Sequence, residues 1–108
     1  MTDRELLELA AKAAGVNAYW GHASSQMILE GIVGGHEYPE PVYWNPLIDD
    51  GDALRLAVKM GLIIDCSRPS AGLPYQQHAI GFNELCDNAT LTRRAIVRAA
   101  AEIGKAMK

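Results

Sequence analysis

Three aspartates crowd the segment that precedes an apolar run in the middle of the chain. Asp49, Asp50 and Asp52 lie within YWNPLIDDGDALRLAVKMGL, residues 43–62. Carboxylate oxygens are the ligands that hard divalent cations prefer, but the spacing lacks the D-x-[DN]-x-[DN]-G pattern of a calcium loop and its closing glutamate. Aspartates also accept hydrogen bonds from the unpaired backbone N–H groups at the start of a helix. We therefore predict that this cluster begins a helix and holds no metal.

Histidine and cysteine side chains could ligate zinc or act as nucleophiles, but their spacing supports neither role. The candidates lie in separate segments, without the short spacing of paired zinc ligands: His22, His36, His78, Cys66 and Cys86. Neither cysteine lies in a nucleophile motif, although a Cys–His pair that meets only in the folded protein stays an alternative. We predict no catalytic residue, metal or cofactor, and two reduced thiols of the kind found in cytoplasmic proteins.

Aromatic and arginine side chains are better suited to recognise a ligand. Aromatic rings stack on nucleobases or anchor protein interfaces, and guanidinium groups bind phosphates through two parallel hydrogen bonds. We predict that a ligand is contacted by Trp20, His22, Tyr43, Trp44, Arg93, Arg94 and Arg98. One alternative is that Tyr43 and Trp44 alternate across a strand, with one ring in the core. The arginines could instead form a solvated helix face, or bind acidic residues of a second copy.

Charge is distributed unevenly along the chain around a net charge of -3. Residues 30–52 contain six acidic side chains and no lysine or arginine, whereas residues 89–108 contain five lysines and arginines and one acidic side chain. The negative net charge argues against a general nucleic-acid binder, which needs many phosphate-neutralising side chains. The acidic segment is suited instead to binding a basic protein surface.

Hydrophobic periodicity predicts three helices that position these residues. Residues 3–14 repeat apolar side chains at helical spacing. A second helix is predicted from Asp52 to Met60, apolar over most of its circumference and therefore packed against a sheet over a wide face. A third occupies residues 90–108, with Asn88 or Thr90 as its cap.

Strand composition and Gly/Pro breaks complete the predicted architecture. The predicted strands are residues 27–33, 42–44, 62–66 and 75–82. Residues 17–26 are predicted to form a mobile or ligand-facing loop, and residues 68–74 a loop. The order is α-β-β-α-β-β-α in one domain, residues 1–108. We predict an α+β fold in which an antiparallel sheet of about four strands packs with three helices, an α/β sandwich.

Three blocks of the chain resemble small, uncharacterised phage and prophage proteins. They are RELLELAAKAAG at residues 4–15, YWNPLIDDGDALRLAVKMGL at residues 43–62 and TRRAIVRAAAEIGKAM at residues 92–107. More distantly, the chain is similar to the phage α/β/α sandwich domain family. That family shares a leading helix, an Asp-containing turn before a central helix, a β-hairpin and an Ala-rich final helix. The resemblance implies a phage-borne gene and the sandwich fold, and it transfers no catalytic residues.

These observations favour a phage-encoded, non-enzymatic binding protein in the cytoplasm of the bacterial host. We expect it to sequester a small nucleotide-type ligand, to counter host defence and to be able to form a homo-oligomer. One alternative is a protein–protein inhibitor or adaptor that engages a host defence protein through the acidic segment 30–52. Another is a small enzyme that uses Cys or His. No segment is apolar for long enough to span a bilayer.

Overall fold

The computed structural model describes residues 2–29, 32–33, 36–37, 42–80 and 87–107. Over these residues the helices are α1 (Asp3–Ala14), α2 (Asp50–Met60) and α3 (Asn88–Ala106). The strands are β1 (Ala18–Gly21), β2 (Gln26–Leu29), β3 (Ile32–Val33), β4 (His36–Glu37), β5 (Tyr43–Trp44), β6 (Ile63–Asp65), β7 (Ser70–Gly72) and β8 (Ala79–Ile80). Three helices with antiparallel strands form one α+β domain, which confirms the predicted fold class.

The ends of α1 follow directly from its terminal residues. The Thr2 hydroxyl accepts a hydrogen bond from the Glu5 backbone N–H at 3.2 Å, as a capping box requires. Gly15 ends the helix in the left-handed conformation, with φ of 69°, which an L residue rarely adopts. The predicted bounds of residues 3–14 are confirmed.

The cap of α3 differs from the prediction. Asp87 accepts a hydrogen bond from the Thr90 backbone N–H at 2.8 Å, whereas Asn88 is already the first helical residue. Asp87 keeps extended backbone angles, as an N-cap does, and its side chain therefore reaches the first unpaired N–H groups of the helix.

The strands form two three-stranded sheets and a two-stranded ribbon, where the sequence indicated one sheet of about four strands. The first sheet has the order β1-β2-β5, the second β6-β7-β8, and β3 pairs with β4. In the first sheet Met27 lies opposite Trp20 on one side and Trp44 on the other. In the second, Ala71 of β7 lies between Ile64 and Ala79.

Two strands occupy segments that were predicted to be loops. β1 lies within residues 17–26 and β7 within residues 68–74. Of the strand predicted at 75–82, residues 75–80 are described, and among these only Ala79–Ile80 form a strand. The glycines that indicated loops are places of close approach. A Cβ at Gly21 would lie 2.5 Å from Ile28 Cδ1, and one at Gly72 would lie 2.5 Å from His78 Cδ2. Glycine therefore permits pairing here instead of ending it.

The core lies between α1 and α3 and is built largely from small side chains. Fully or nearly buried residues at this interface include Ala10, Ala95 and Ala100. The first sheet adds Met27 and Trp44 to the same cluster. Small side chains let helix backbones approach closely, as they do where Gly104 of α3 lies against the Leu9 carbonyl group of α1.

The helix α2 packs differently from the prediction. It contacts α3 and α1 in place of a sheet, and its buried residues are Ala53, Leu56 and Ala57. Leu54 and Val58 are 59% and 72% exposed. The side of α2 that faces α1 and α3 is buried, and the apolar side chains on its other side stay on the surface.

Within the described residues, none of the helices combines the length and the apolar character needed to cross a bilayer.

Candidate functional site

The aspartate cluster serves the start of α2. The Asp49 carboxylate accepts a hydrogen bond from the Asp52 backbone N–H at 2.7 Å and is the N-cap. Asp52 in turn accepts from the Asn45 backbone N–H at 3.0 Å and from Arg55 at 2.7 Å. Asp50 turns away toward α3. Asp49 and Asp52 share Arg55 as an ion-pair partner, at 3.8 and 2.7 Å. All three carboxylates are bound by groups of the protein, and the capping prediction is confirmed for Asp49.

The cysteines and histidines lie apart within the described part of the chain. Cys66 is an exposed free thiol in the turn after β6, and His22 is exposed in the turn after β1. His78 lies just before β8. Over the described ranges no three His, Cys, Asp or Glu side chains are arranged to hold a metal ion. Cys86 and the side chain of His36 lie outside the described residues.

The predicted aromatic candidates have different environments. Tyr43 is 43% exposed and Trp44 6% exposed, so the two rings alternate across β5 as one interpretation of the sequence required. Trp20 is half-buried against the core, and the Arg4 guanidinium carbon lies 5.4 Å from its ring centroid. That distance allows a cation–π contact.

Arg93 joins α3 to the start of α2. Its Nη1 donates to Asp50 at 2.6 Å and its Nε to the Leu47 carbonyl oxygen at 3.0 Å. A third donor reaches the Thr90 hydroxyl at 3.1 Å, and only 16% of the side chain is exposed. A guanidinium held by three partners fixes the relative positions of two helices, which is a structural role.

The other two candidate arginines point to different parts of the molecule. Arg94 binds Asp3 at the beginning of α1, with an Nη2–Oδ1 distance of 2.9 Å. Arg98 donates to the Ile80 carbonyl oxygen of β8 at 3.2 Å. The seven predicted residues are therefore not gathered in one place. Arg98 lines a groove of about 910 Å³, and Arg93 lines a smaller hollow of about 370 Å³.

This groove, which we call the α3 groove, lies between the second sheet and the C-terminal half of α3. Its volume is about 910 Å³, within the range of roughly 300–1,000 Å³ typical of ligand sites. Its polar lining residues are Gln76, Gln77, His78, Arg98 and Glu102.

An apolar floor lies beside these polar groups. Leu6, Ala99 and Ile103 are among the aliphatic lining residues, contributed by α1 and α3. Aliphatic surface suits a ligand ring, and the polar groups around it can fix its orientation. No phenylalanine, tyrosine or tryptophan is among the described lining residues, and none of them carries a hydroxyl or thiol nucleophile.

The sequence analysis missed four of the five polar residues of the α3 groove. Glu102 follows Arg98 by one helical turn, so helix periodicity alone places them on the same face. Gln76, Gln77 and His78 are consecutive polar residues in a segment predicted to be a strand. Their position beside α3 depends on the pairing of β8 with β7, which local sequence does not indicate.

Comparison with protein-family models, curated proteins and solved structures found no match. Function must therefore be argued from the site itself.

Proposed function

We propose that the protein is a non-enzymatic binding protein that holds a small anionic ligand of nucleotide type in the α3 groove. One observation carries this proposal: a groove of about 910 Å³ combines Arg98 with amide, imidazole and carboxylate groups around an aliphatic floor. The described lining offers donors and acceptors, and it has no nucleophile that a base could activate. The arrangement is suited to binding and retaining a ligand.

The lining residues suggest how such a ligand would be recognised. The Ile80 carbonyl group positions Arg98, which would bind phosphate oxygens through charge-assisted hydrogen bonds. Glu102, one turn further along α3, would accept hydrogen bonds from an amino or hydroxyl group. The side chains of Gln76 and Gln77 can donate and accept at the edge of a base. The ring would lie on the aliphatic floor, and Trp20 and Trp44 would take no part.

The biological setting of the proposal rests on the resemblance of three sequence blocks to phage proteins. A phage protein that retains a nucleotide in the host cytoplasm would lower the concentration of a signal used in defence. Sequestration of this kind needs affinity and abundance but no turnover.

The inhibitor or adaptor alternative depends on the acidic segment 30–52. Its three aspartates stabilise the start of α2 through hydrogen bonds and the ion pair of Asp50 with Arg93, so their presence in the sequence is explained without a partner protein. Glu30, Glu40 and the side chain of Glu37 lie outside the described residues. We therefore put the ligand-binding proposal first.

Isothermal titration calorimetry against a panel of cyclic and linear nucleotides tests the proposal. We expect at least one nucleotide to bind, and Arg98→Ala to weaken its binding roughly 10- to 100-fold, as loss of a hydrogen bond to a charged group does. Arg94→Ala removes the same charge from the same helix outside the α3 groove and should leave the affinity within about twofold. Silence across the panel, or equal effects of the two substitutions, would reject the α3 groove as a nucleotide site.

A further inference from the structure

The exposed side of α2 presents two aliphatic side chains one turn apart. Leu54 and Val58 are 59% and 72% exposed and follow each other at a spacing of four residues, so they form one stripe. No neighbouring element of the described chain covers them. Single exposed aliphatic residues are ordinary on protein surfaces, but this stripe borders a hollow that is itself largely apolar.

The hollow lies between α2, β6 and the first turns of α3. Its volume is about 370 Å³, and its lining includes Ala53, Leu54, Ile64 and Ile96. We call the Leu54–Val58 stripe and this hollow together the α2 surface. A surface that carries both projecting side chains and a hollow can pair with itself around a two-fold axis, because the projecting side chains of each copy can enter the hollow of the other.

Charge along α2 selects the direction of such a pairing. The start of the helix carries Asp49 and Asp50, whose side chains are 56% and 81% exposed. The second half carries Lys59, which is exposed, and Arg55, which is exposed and already pairs with Asp52 and Asp49 of its own chain. In an antiparallel pair the acidic start of one helix lies near Lys59 of the other, whereas a parallel pair would place like charges together. The helix dipoles also oppose each other favourably in the antiparallel pair.

We propose that a second copy of this chain covers the α2 surface. The two α2 helices pack antiparallel about a two-fold axis that passes between Leu54 and Val58, and Val58 of each copy enters the hollow beside Leu54 of the other. Lys59 of each copy approaches the carboxylates at the start of the partner helix. The α2 surface shares no described lining residue with the α3 groove, so this dimer is independent of the proposed ligand.

Sedimentation equilibrium over a range of protein concentrations tests the proposal. We expect a monomer–dimer equilibrium in the unaltered protein. Val58→Glu places two carboxylates per dimer in an apolar contact and should raise the dissociation constant at least about 100-fold. Asn17→Glu changes the charge equally at an exposed position outside the α2 surface and should leave the dissociation constant within about twofold.

Folding of the variants is checked by far-UV circular dichroism. Because Val58 is largely exposed, we expect its replacement to leave the helical signal unchanged. Lys59→Glu provides a second variant that adds no charge to the apolar contact; it should weaken the dimer roughly 10-fold at low salt and less at high salt. A protein that stays monomeric at high concentration, or a dimer that resists both substitutions, overturns the proposal.

Disulfide formation tests the antiparallel geometry. In a background with Cys66 and Cys86 replaced by serine, Leu54→Cys and Val58→Cys variants are mixed and oxidised. The mixed pair should cross-link faster than either variant alone, because the axis places position 54 of one copy opposite position 58 of the other. Faster cross-linking of each variant with itself would indicate parallel helices and overturn the proposed arrangement.

Discussion

Gly104 lies where α3 crosses α1, and its replacement by alanine tests how closely these helices approach. It is buried, and an added Cβ would lie 2.9 Å from the carbonyl carbon of Leu9 and closer still to the oxygen of that group. Both atoms belong to the backbone of α1 and cannot rotate away as a side chain could. Alanine at this position therefore requires the two helices to separate by on the order of 1 Å to restore van der Waals distances.

The net effect is a balance between this strain and the helix propensity of alanine. Overpacking of a well-packed interior costs typically about 1–3 kcal/mol, and contact with backbone places this case near the upper end. Alanine is more favourable than glycine within a helix by about 1 kcal/mol. We expect Gly104→Ala to lower the free energy of unfolding by about 2 kcal/mol. For a domain of this size that corresponds to a fall in Tm of roughly 10 °C.

Urea and thermal unfolding followed by circular dichroism measure this change, with Gly51→Ala as the matched control. The nearest atoms to a Cβ at Gly51 would be the ends of the Arg55 and Asp49 side chains, at 3.2 Å, which need to shift by only a few tenths of an ångström. We expect Gly51→Ala to leave stability unchanged or to raise it by up to about 1 kcal/mol. If Gly104→Ala were as stable as the parent protein, the close approach of α3 to Leu9 would be refuted.

Three further predictions follow from the caps and ion pairs. Asp49→Ala should lower the free energy of unfolding by about 1 kcal/mol, whereas Asp49→Asn should lower it much less, because asparagine also caps helices. Equal urea midpoints for the two variants would contradict the capping role. Arg93→Met should cost about 1–3 kcal/mol by the same measurement, because the Leu47 carbonyl loses its donor. Arg94→Met should cost less than about 1 kcal/mol, since its Asp3 partner is 60% exposed. A larger loss of stability for Arg94→Met than for Arg93→Met would contradict the structural role assigned to Arg93. Hydrogen bonds from the Ser67 hydroxyl to Asp65 and from Thr90 to Asp87 lower the pKa of both carboxyls. The unfolded chain therefore binds more protons in acid, so the stability that these groups contribute is complete above their unfolded pKa and is lost as pH falls through the folded pKa. Asp87→Asn should keep the cap and flatten the fall of the urea midpoint below about pH 4, and an unchanged slope would show that Asp87 does not contribute to it.

Helix ends could be predicted to within about two residues because their causes are local: α1 was predicted at its observed bounds, while α2 and α3 each begin two residues earlier than predicted. Thr2 with Glu5 and Gly15 bound α1, and Asp49 with Gly61 bound α2, through hydrogen bonds that span at most a few residues. The wrong prediction of the α3 cap also has a local cause. Neighbouring residues at the start of the helix can each act as a cap, and their backbone angles determine which one does. Asp87 took the cap because it kept extended angles.

Sheet organisation could not be predicted to the same extent. The glycines of β1 and β7 indicate loops when considered alone, and they become strand residues because Ile28 and His78 lie against them. The environment of α2 was misjudged for a related reason. Its sequence shows many apolar residues, but nothing in it indicates that α1 and α3 would leave Leu54 and Val58 uncovered.

The sequence by itself determined the α+β class, the three helices and the capping role of the aspartates, because these depend on periodicity and on contacts within one helical turn. Tertiary structure alone decided which arginines join the helices to one another and which one lines the α3 groove. Arg93, Arg94 and Arg98 have the same chemistry and lie on one helix, yet their side chains reach α2, α1 and β8 respectively. A guanidinium acts on whatever partner the packing brings within hydrogen-bond distance, and for Arg93 and Arg94 those partners are more than 40 positions away along the chain.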